Sequence, residues 1–202
     1  MQTRVLYALA TLGLCAVAAV TGVWIAESRT ATSQPAGAFA GAVRPPGARA
    51  PDFRLRDQDG KPVAMADYRG RTVVMTFVYS TCKDTCPAQV QSIRGALDKL
   101  GHDVPVLAVS VDPANDTPDS AERFLVKQSM SAGRMRFLLG TRAQLQPIWK
   151  AYGIRPQGKG FEHTAYVAVL DQTGRQRVAF TIDHLTDRDL AHDIRKLESE
   201  RA

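Results

Sequence analysis

The sequence predicts an α/β fold in which one mixed β-sheet is flanked by helices on both faces. Segments rich in β-branched residues alternate along the chain with segments in which apolar residues recur every three or four positions. The last two β-rich segments flank residues 171–174, Asp-Gln-Thr-Gly, which is typical of a hairpin between antiparallel strands. The roughly 150 residues from position 51 onward suit one domain with a sizeable core.

The strands are predicted from short apolar runs. Residues 72–79, TVVMTFVY, are apolar on both faces, as expected of a central strand. Residues 104–111 form a second buried run. The turn sequence at residues 57–60 indicates a short hairpin near the start of the domain. The remaining predicted strands are residues 136–139, 166–170 and 176–181.

The helices are predicted from apolar periodicity and from the residues at their ends. Pro87 opens a helical stretch that Gly101 closes. Residues 118–130 form a second helix, for which Asp116 and Thr117 are candidate N-caps. The remaining predicted helices are residues 141–152 and a last helix that begins after Thr186.

An uncharged apolar run near the start of the chain predicts a membrane anchor. Residues 5–26 are long enough to cross a bilayer as a helix, whereas the apolar part of a secretory signal is usually shorter. Residues 1–26 are therefore predicted to be a signal anchor, with a cleaved signal peptide as the alternative. Residues 27–50 are rich in Ala, Gly, Pro, Ser and Thr and predict a flexible tether. Residues 51–202 are the predicted folded domain.

The charge distribution argues against nucleic-acid binding. The formal net charge is +6, but half of it lies in the first 50 residues, and residues 51–202 carry 22 basic and 19 acidic side chains. No basic stripe is interleaved with aromatic residues, so no nucleic-acid partner is expected. The simplest topology is a bacterial inner-membrane anchor that holds the domain in the periplasm.

The strongest chemical signal is the pair Cys82 and Cys86, at the end of a predicted buried strand and the start of a helix. Cysteines four residues apart on one helical face are close enough to form a disulfide or to bind one metal ion. A helix N-terminus with Lys83 nearby favours the reactive thiolate. The alternative is a structural disulfide, but short loops gain little stability from one. Redox or metal chemistry is therefore favoured.

A histidine near the same sheet edge suggests a third ligand. His163 comes just before the strand at 166–170, in a loop that can lie beside the cysteine loop. One imidazole and two thiolates make a three-coordinate soft site, which suits Cu(I) and leaves zinc one ligand short. The alternative for His163 is a solvated loop residue, and His184 is kept as a reserve ligand. The Asp-Pro turn at 112–118 is interpreted as a turn and helix cap.

These motifs together resemble the Sco/SenC family: a hydrophobic anchor, Cys-x-x-x-Cys-Pro after a buried strand, Asp-Pro-x-x-Asp-Thr-Pro, and His-Thr before a Tyr-containing strand. The resemblance implies a thioredoxin-like fold and a role in handling copper for the dinuclear copper centre of cytochrome c oxidase. It also implies that Cys82, Cys86 and His163 are copper ligands and that the two cysteines cycle between dithiol and disulfide. This chain departs from the family at Lys83, where proline is common.

Three hypotheses follow. The first is a metallochaperone that carries one copper ion to the copper-site subunit of cytochrome c oxidase, with a periplasmic thiol reductant or copper donor as a further partner. The second is an enzyme, a membrane-tethered thiol-disulfide oxidoreductase that reduces the cysteines of the oxidase copper site and carries no metal. The third is a copper or redox sensor. One cysteine pair serves all three, so the sequence leaves the choice open.

Overall fold

The computed structural model describes residues 38–158 and 164–200. The predicted anchor, most of the predicted tether and His163 lie outside these residues. Within the described stretches, no helix is long and apolar enough to cross a membrane.

Within residues 38–158 and 164–200, eight strands and four helices follow one another in nearly the predicted order. The strands are β1 (Ala42–Val43), β2 (Arg54–Arg56), β3 (Pro62–Ala64), β4 (Val73–Val78), β5 (Val106–Ser110), β6 (Arg136–Leu138), β7 (Tyr166–Leu170) and β8 (Gln176–Thr181). The helices are α1 (Thr85–Leu100), α2 (Pro118–Lys127), α3 (Arg142–Tyr152) and α4 (Asp187–Ser199). Two 3₁₀ turns are Met65–Tyr68 and Ile182–His184.

Six strands form the predicted mixed sheet, in the order β1-β8-β7-β4-β5-β6. β4, β5 and β6 are parallel, whereas β7 is antiparallel to both β4 and β8. β2 and β3 form the predicted hairpin, which is a two-stranded sheet of its own. Because of these directions, the carboxyl ends of β4 and β5 and the amino end of β7 lie at the same edge of the sheet.

Apolar layers cover both faces of the sheet. Helices α1, α2 and α4 pack on one face, and α3 and the β2–β3 hairpin pack on the other. All six residues of β4 are therefore buried, as predicted for a central strand. Trp149 of α3 donates its indole N–H to the backbone oxygen of Ser110, at 2.9 Å, and so ties α3 to the end of β5.

Local sequence accounts for the ends of α1 and α2. Gly101 ends α1 in the left-handed conformation, with φ 73°, which glycine adopts without strain. Thr117 caps α2 and accepts a hydrogen bond from the backbone N–H of Ser120. This helix ends at Lys127, three residues earlier than predicted. Ser129 has a φ of 57° and cannot continue the helix.

The folded unit begins at Phe39 rather than at the predicted Pro51. Strand β1 pairs with β8, and the buried carboxylate of Asp193 in α4 accepts hydrogen bonds from the backbone N–H groups of Ala40, at 2.7 Å, and Gly41, at 2.9 Å. A Cβ atom at Gly41 would lie 2.5 Å from a methyl carbon of Val178, so only glycine fits here. The last part of the predicted tether is therefore ordered.

Candidate metal centre

The two cysteines lie between β4 and α1. Cys82 is half-buried in the loop, whereas Cys86 lies in the first turn of α1 and is completely buried. The prediction that both share one helical face is wrong, because α1 begins only at Thr85. They are nevertheless adjacent, since the backbone N–H of Cys86 donates to Cys82 Sγ at 3.3 Å. No disulfide joins them in the structure.

The two sulfur atoms differ in acidity. Hydrogen bonds from the thiol and backbone N–H of Cys86, with further ones from Tyr79 and Asp84, lower the pKa of Cys82 to about 5 in spite of its burial. Burial and the hydrogen bond to Cys82 raise the pKa of Cys86. Hydrogen bonds, rather than the charge of Lys83, are therefore the main cause of the acidity of Cys82. At neutral pH the pair holds one thiolate and one proton.

Asp116 fixes the loop that leads to Cys82. Its carboxylate accepts the backbone N–H of Ser80 at 2.7 Å and the hydroxyl of Ser110 at 2.5 Å, which joins the end of β4 to the end of β5. Burial raises the pKa of Asp116, against the opposing effect of these hydrogen bonds. Sequence analysis considered Asp116 only as a helix cap. The structure shows that Thr117 is the cap. Because Thr117 alone could cap the helix, the presence of Asp116 next to it was the one sequence feature that pointed to another role for Asp116.

The described residues on either side of His163 lie at the same sheet edge. Gln157 donates its backbone N–H to the backbone oxygen of Val111, just after β5, at 3.0 Å. Arg155 and Thr164 then close the base of the loop with two hydrogen bonds, both 3.3 Å long. His163 is the neighbour of Thr164 in the chain, and its own position lies outside the described residues.

Of the three predicted ligands, the described residues include Cys82 and Cys86. Among residues 38–158 and 164–200, no group of three or more His, Cys, Asp or Glu side chains is arranged to hold a metal ion. The reserve ligand His184 lies after β8, where its Nδ1 is 3.2 Å from the hydroxyl of Thr181. The paired sulfurs suit a soft cation, and zinc would require further ligands.

Comparison with known proteins decides the family. A family model described as SCO1/SenC matches residues 42–199, well over half of the chain. The chain belongs to the SCO1/SenC family. The match includes both cysteines and the loop that contains His163, and it begins close to the observed start of the folded unit.

Curated relatives match about half of the chain. The SCO1 protein homolog of Bacillus subtilis is 27% identical over 115 residues, which cover 53% of this chain and 60% of the relative. Protein SenC of Rhodobacter capsulatus is 34% identical over 103 residues, which cover 50% of this chain and 45% of the relative. The chain thus spans about half the length of these curated relatives.

A solved structure of a copper-bound protein is similar to about three quarters of this chain. ScoI of Bradyrhizobium japonicum, solved with copper bound, is 28% identical and superposes with a TM-score of 0.63. The match covers 74% of this chain and 99% of that one. The predicted thioredoxin-like fold is confirmed.

Proposed function

We propose that this SCO1/SenC protein binds one copper ion through Cys82, Cys86 and His163 and delivers it to the copper-site subunit of cytochrome c oxidase. The observation that carries the proposal is the contact between the half-buried Cys82 sulfur and the first turn of α1, at 3.3 Å from the N–H of Cys86. Copper in the related ScoI supports the choice of metal. The similar structure of BsSco, described as a member of the Sco family of cytochrome c oxidase assembly proteins, supports the partner.

The ligand chemistry follows from the two sulfur environments. Cys82 is a thiolate at neutral pH and can bind a soft cation directly. Cys86 keeps its proton, so copper binding by both sulfurs displaces one proton from Cys86 to solvent. A neutral imidazole from His163 completes a three-coordinate site suited to Cu(I).

The same pair supports a redox step. Oxidation joins the Cys82 thiolate and the Cys86 thiol in a disulfide, with loss of two electrons and one proton. The disulfide has no thiolate left for copper. Copper loading is therefore expected to require a dithiol reductant in the periplasm, which returns two electrons and becomes a disulfide itself.

A thiol-disulfide oxidoreductase is the second candidate function. A half-buried thiolate beside a completely buried thiol suits a nucleophile and a resolving cysteine, as such enzymes require. This function needs both cysteines and no histidine. The role of His163 therefore separates the two candidates.

The proposal includes an inner-membrane anchor in residues 1–26 and a periplasmic domain. Because the folded unit begins at Phe39, the segment between the proposed anchor and the folded unit is residues 27–38, half the length of the tether that the sequence predicts. Protease added outside inner-membrane vesicles of known orientation tests this arrangement. Cleavage of the domain in right-side-out vesicles alone is the expected result.

Copper stoichiometry of the full 202-residue chain in detergent tests the function. Reduced wild-type protein is expected to hold one copper ion against a competing Cu(I) chelator, and oxidised protein none. His163→Ala should bind copper much more weakly while its cysteines still oxidise. His184→Ala is the matched control and should behave as wild type. Undiminished affinity in His163→Ala contradicts the ligand set, and no tight copper in reduced wild type favours the reductase.

A further inference from the structure

A buried glutamine lies one turn after Cys86 in α1. Gln89 is only 1% exposed and lies on the apolar face of the helix, between Cys86 and Ile93. Burying an amide is unfavourable unless it is hydrogen-bonded, and a leucine would suit this layer of the core better. The position therefore needs a reason beyond packing.

The amide of Gln89 binds the amino end of β7. Its Nε2 donates to the backbone oxygen of Tyr166, at 3.3 Å, and also to the hydroxyl of Thr76. The Thr76 hydroxyl is completely buried in β4 and donates to the same Tyr166 oxygen at 3.4 Å. One carbonyl group at the start of β7 thus receives hydrogen bonds from two side chains, one of α1 and one of β4.

This contact joins the two parts of the proposed copper site. Gln89 is three residues from Cys86, about 4.5 Å along the helix axis. Tyr166 is three residues after His163 in the chain. The amide therefore links the helix that carries one sulfur ligand to the strand that follows the proposed imidazole ligand.

We propose that Gln89 is a positioning residue of the metal site. Its amide holds the start of β7 against α1 and so sets the spacing between the cysteine pair and the strand that follows the proposed ligand His163 in the chain. The inference rests on the proposed ligand set. Groups that orient metal ligands without touching the metal typically change metal affinity by about 10- to 100-fold when they are removed.

The test compares two glutamines of the same helix in the 202-residue chain. Gln89→Leu is expected to weaken Cu(I) binding by about 10- to 100-fold in competition with a chelator. With Cu(II) bound, its electron paramagnetic resonance spectrum should lose the nitrogen coupling of the imidazole. Gln91→Leu is the matched control, because the side chain of Gln91 donates its hydrogen bonds to Gln128, at 2.8 Å to the side-chain oxygen. It should leave affinity and spectrum unchanged.

A double-mutant cycle with His163→Ala separates positioning from general damage. If Gln89 acts through His163, Gln89→Leu has no further effect on copper affinity in the His163→Ala background. A loss that persists in that background overturns the inference, as does wild-type affinity and spectrum in Gln89→Leu alone. Failure of the ligand set is seen separately, as unchanged affinity in the single His163→Ala variant.

Gln89→Met serves as a second variant that keeps the length of the side chain without its donor. Circular dichroism and thermal unfolding establish that each variant is folded before copper is added. If both Gln89→Leu and Gln89→Met fail to fold, the amide is a requirement of the fold itself and the inference is overturned.

Discussion

The acidity of Cys82 leads to a quantitative prediction of its reactivity. At pH 6, a pKa of about 5 makes most of the Cys82 sulfur thiolate, whereas the ordinary value of 9.0 leaves about one part in a thousand. The thiolate fraction thus rises by nearly 1,000-fold. A less basic thiolate is also a weaker nucleophile. A Brønsted slope of about 0.45 over these four pKa units lowers the rate constant of the thiolate itself by roughly 60-fold. Cys82 is therefore expected to react about tenfold faster than an ordinary cysteine at pH 6.

The assay is the rate of alkylation by iodoacetamide in the reduced protein, followed by mass spectrometry from pH 4 to pH 9. Cys82 should reach its full rate near pH 6, and Cys86, which is buried and keeps its proton, should react only in denaturant. Cys86→Ala removes the thiol hydrogen bond that contributes most to the acidity, so the midpoint should move to higher pH. A wild-type midpoint near pH 8.5 would refute the reasoning.

Three further predictions concern stability and are measured by urea unfolding. Asp193→Ala should lower the free energy of unfolding by about 3 kcal/mol, because two backbone N–H groups lose a charged acceptor. Asp116→Ala should lower the free energy of unfolding by about 2 kcal/mol, since the N–H of Ser80 loses its acceptor. An unchanged urea midpoint in this variant contradicts the role of Asp116 in holding the loop. Phe77→Ala, in the completely buried centre of β4, should cost about 3–5 kcal/mol, whereas Val126→Ala at an exposed site should stay within about 0.5 kcal/mol.

The sequence by itself determined the architecture and the main chemical feature. The apolar run of β4 and the helical period of α1 depend on residues close together in the chain, so they can be recognised without the fold. The cysteine pair and the Pro-containing start of α1 are local signals of the same kind. Even the mixed sheet follows from the order of these local elements, together with the last hairpin.

Local patterns were insufficient where partners are far apart in the chain. Residues 39–50 have no apolar period and resemble a linker, yet Asp193, more than 150 residues away, binds the N–H groups of Ala40 and Gly41. Asp116 looked like a helix cap because its partner Ser80 lies 36 residues earlier. Both predictions failed for the same reason: a hydrogen bond between distant segments produces no periodic pattern in the sequence of either segment.

The tertiary structure alone decided how the cysteine pair is tuned and supported. The sequence shows a charged residue, Lys83, near Cys82. The structure shows that hydrogen bonds from Cys86, at the start of α1, are the main cause of the low pKa of Cys82. In the sequence, Gln89 is a single polar residue on an apolar helix face. Its partner, the Tyr166 carbonyl, lies 77 residues further along the chain and is identified only by the structure. Residue type and spacing thus determine which groups are available. Only the packing of distant elements determines which groups meet, because hydrogen bonds require contact within about 3 Å.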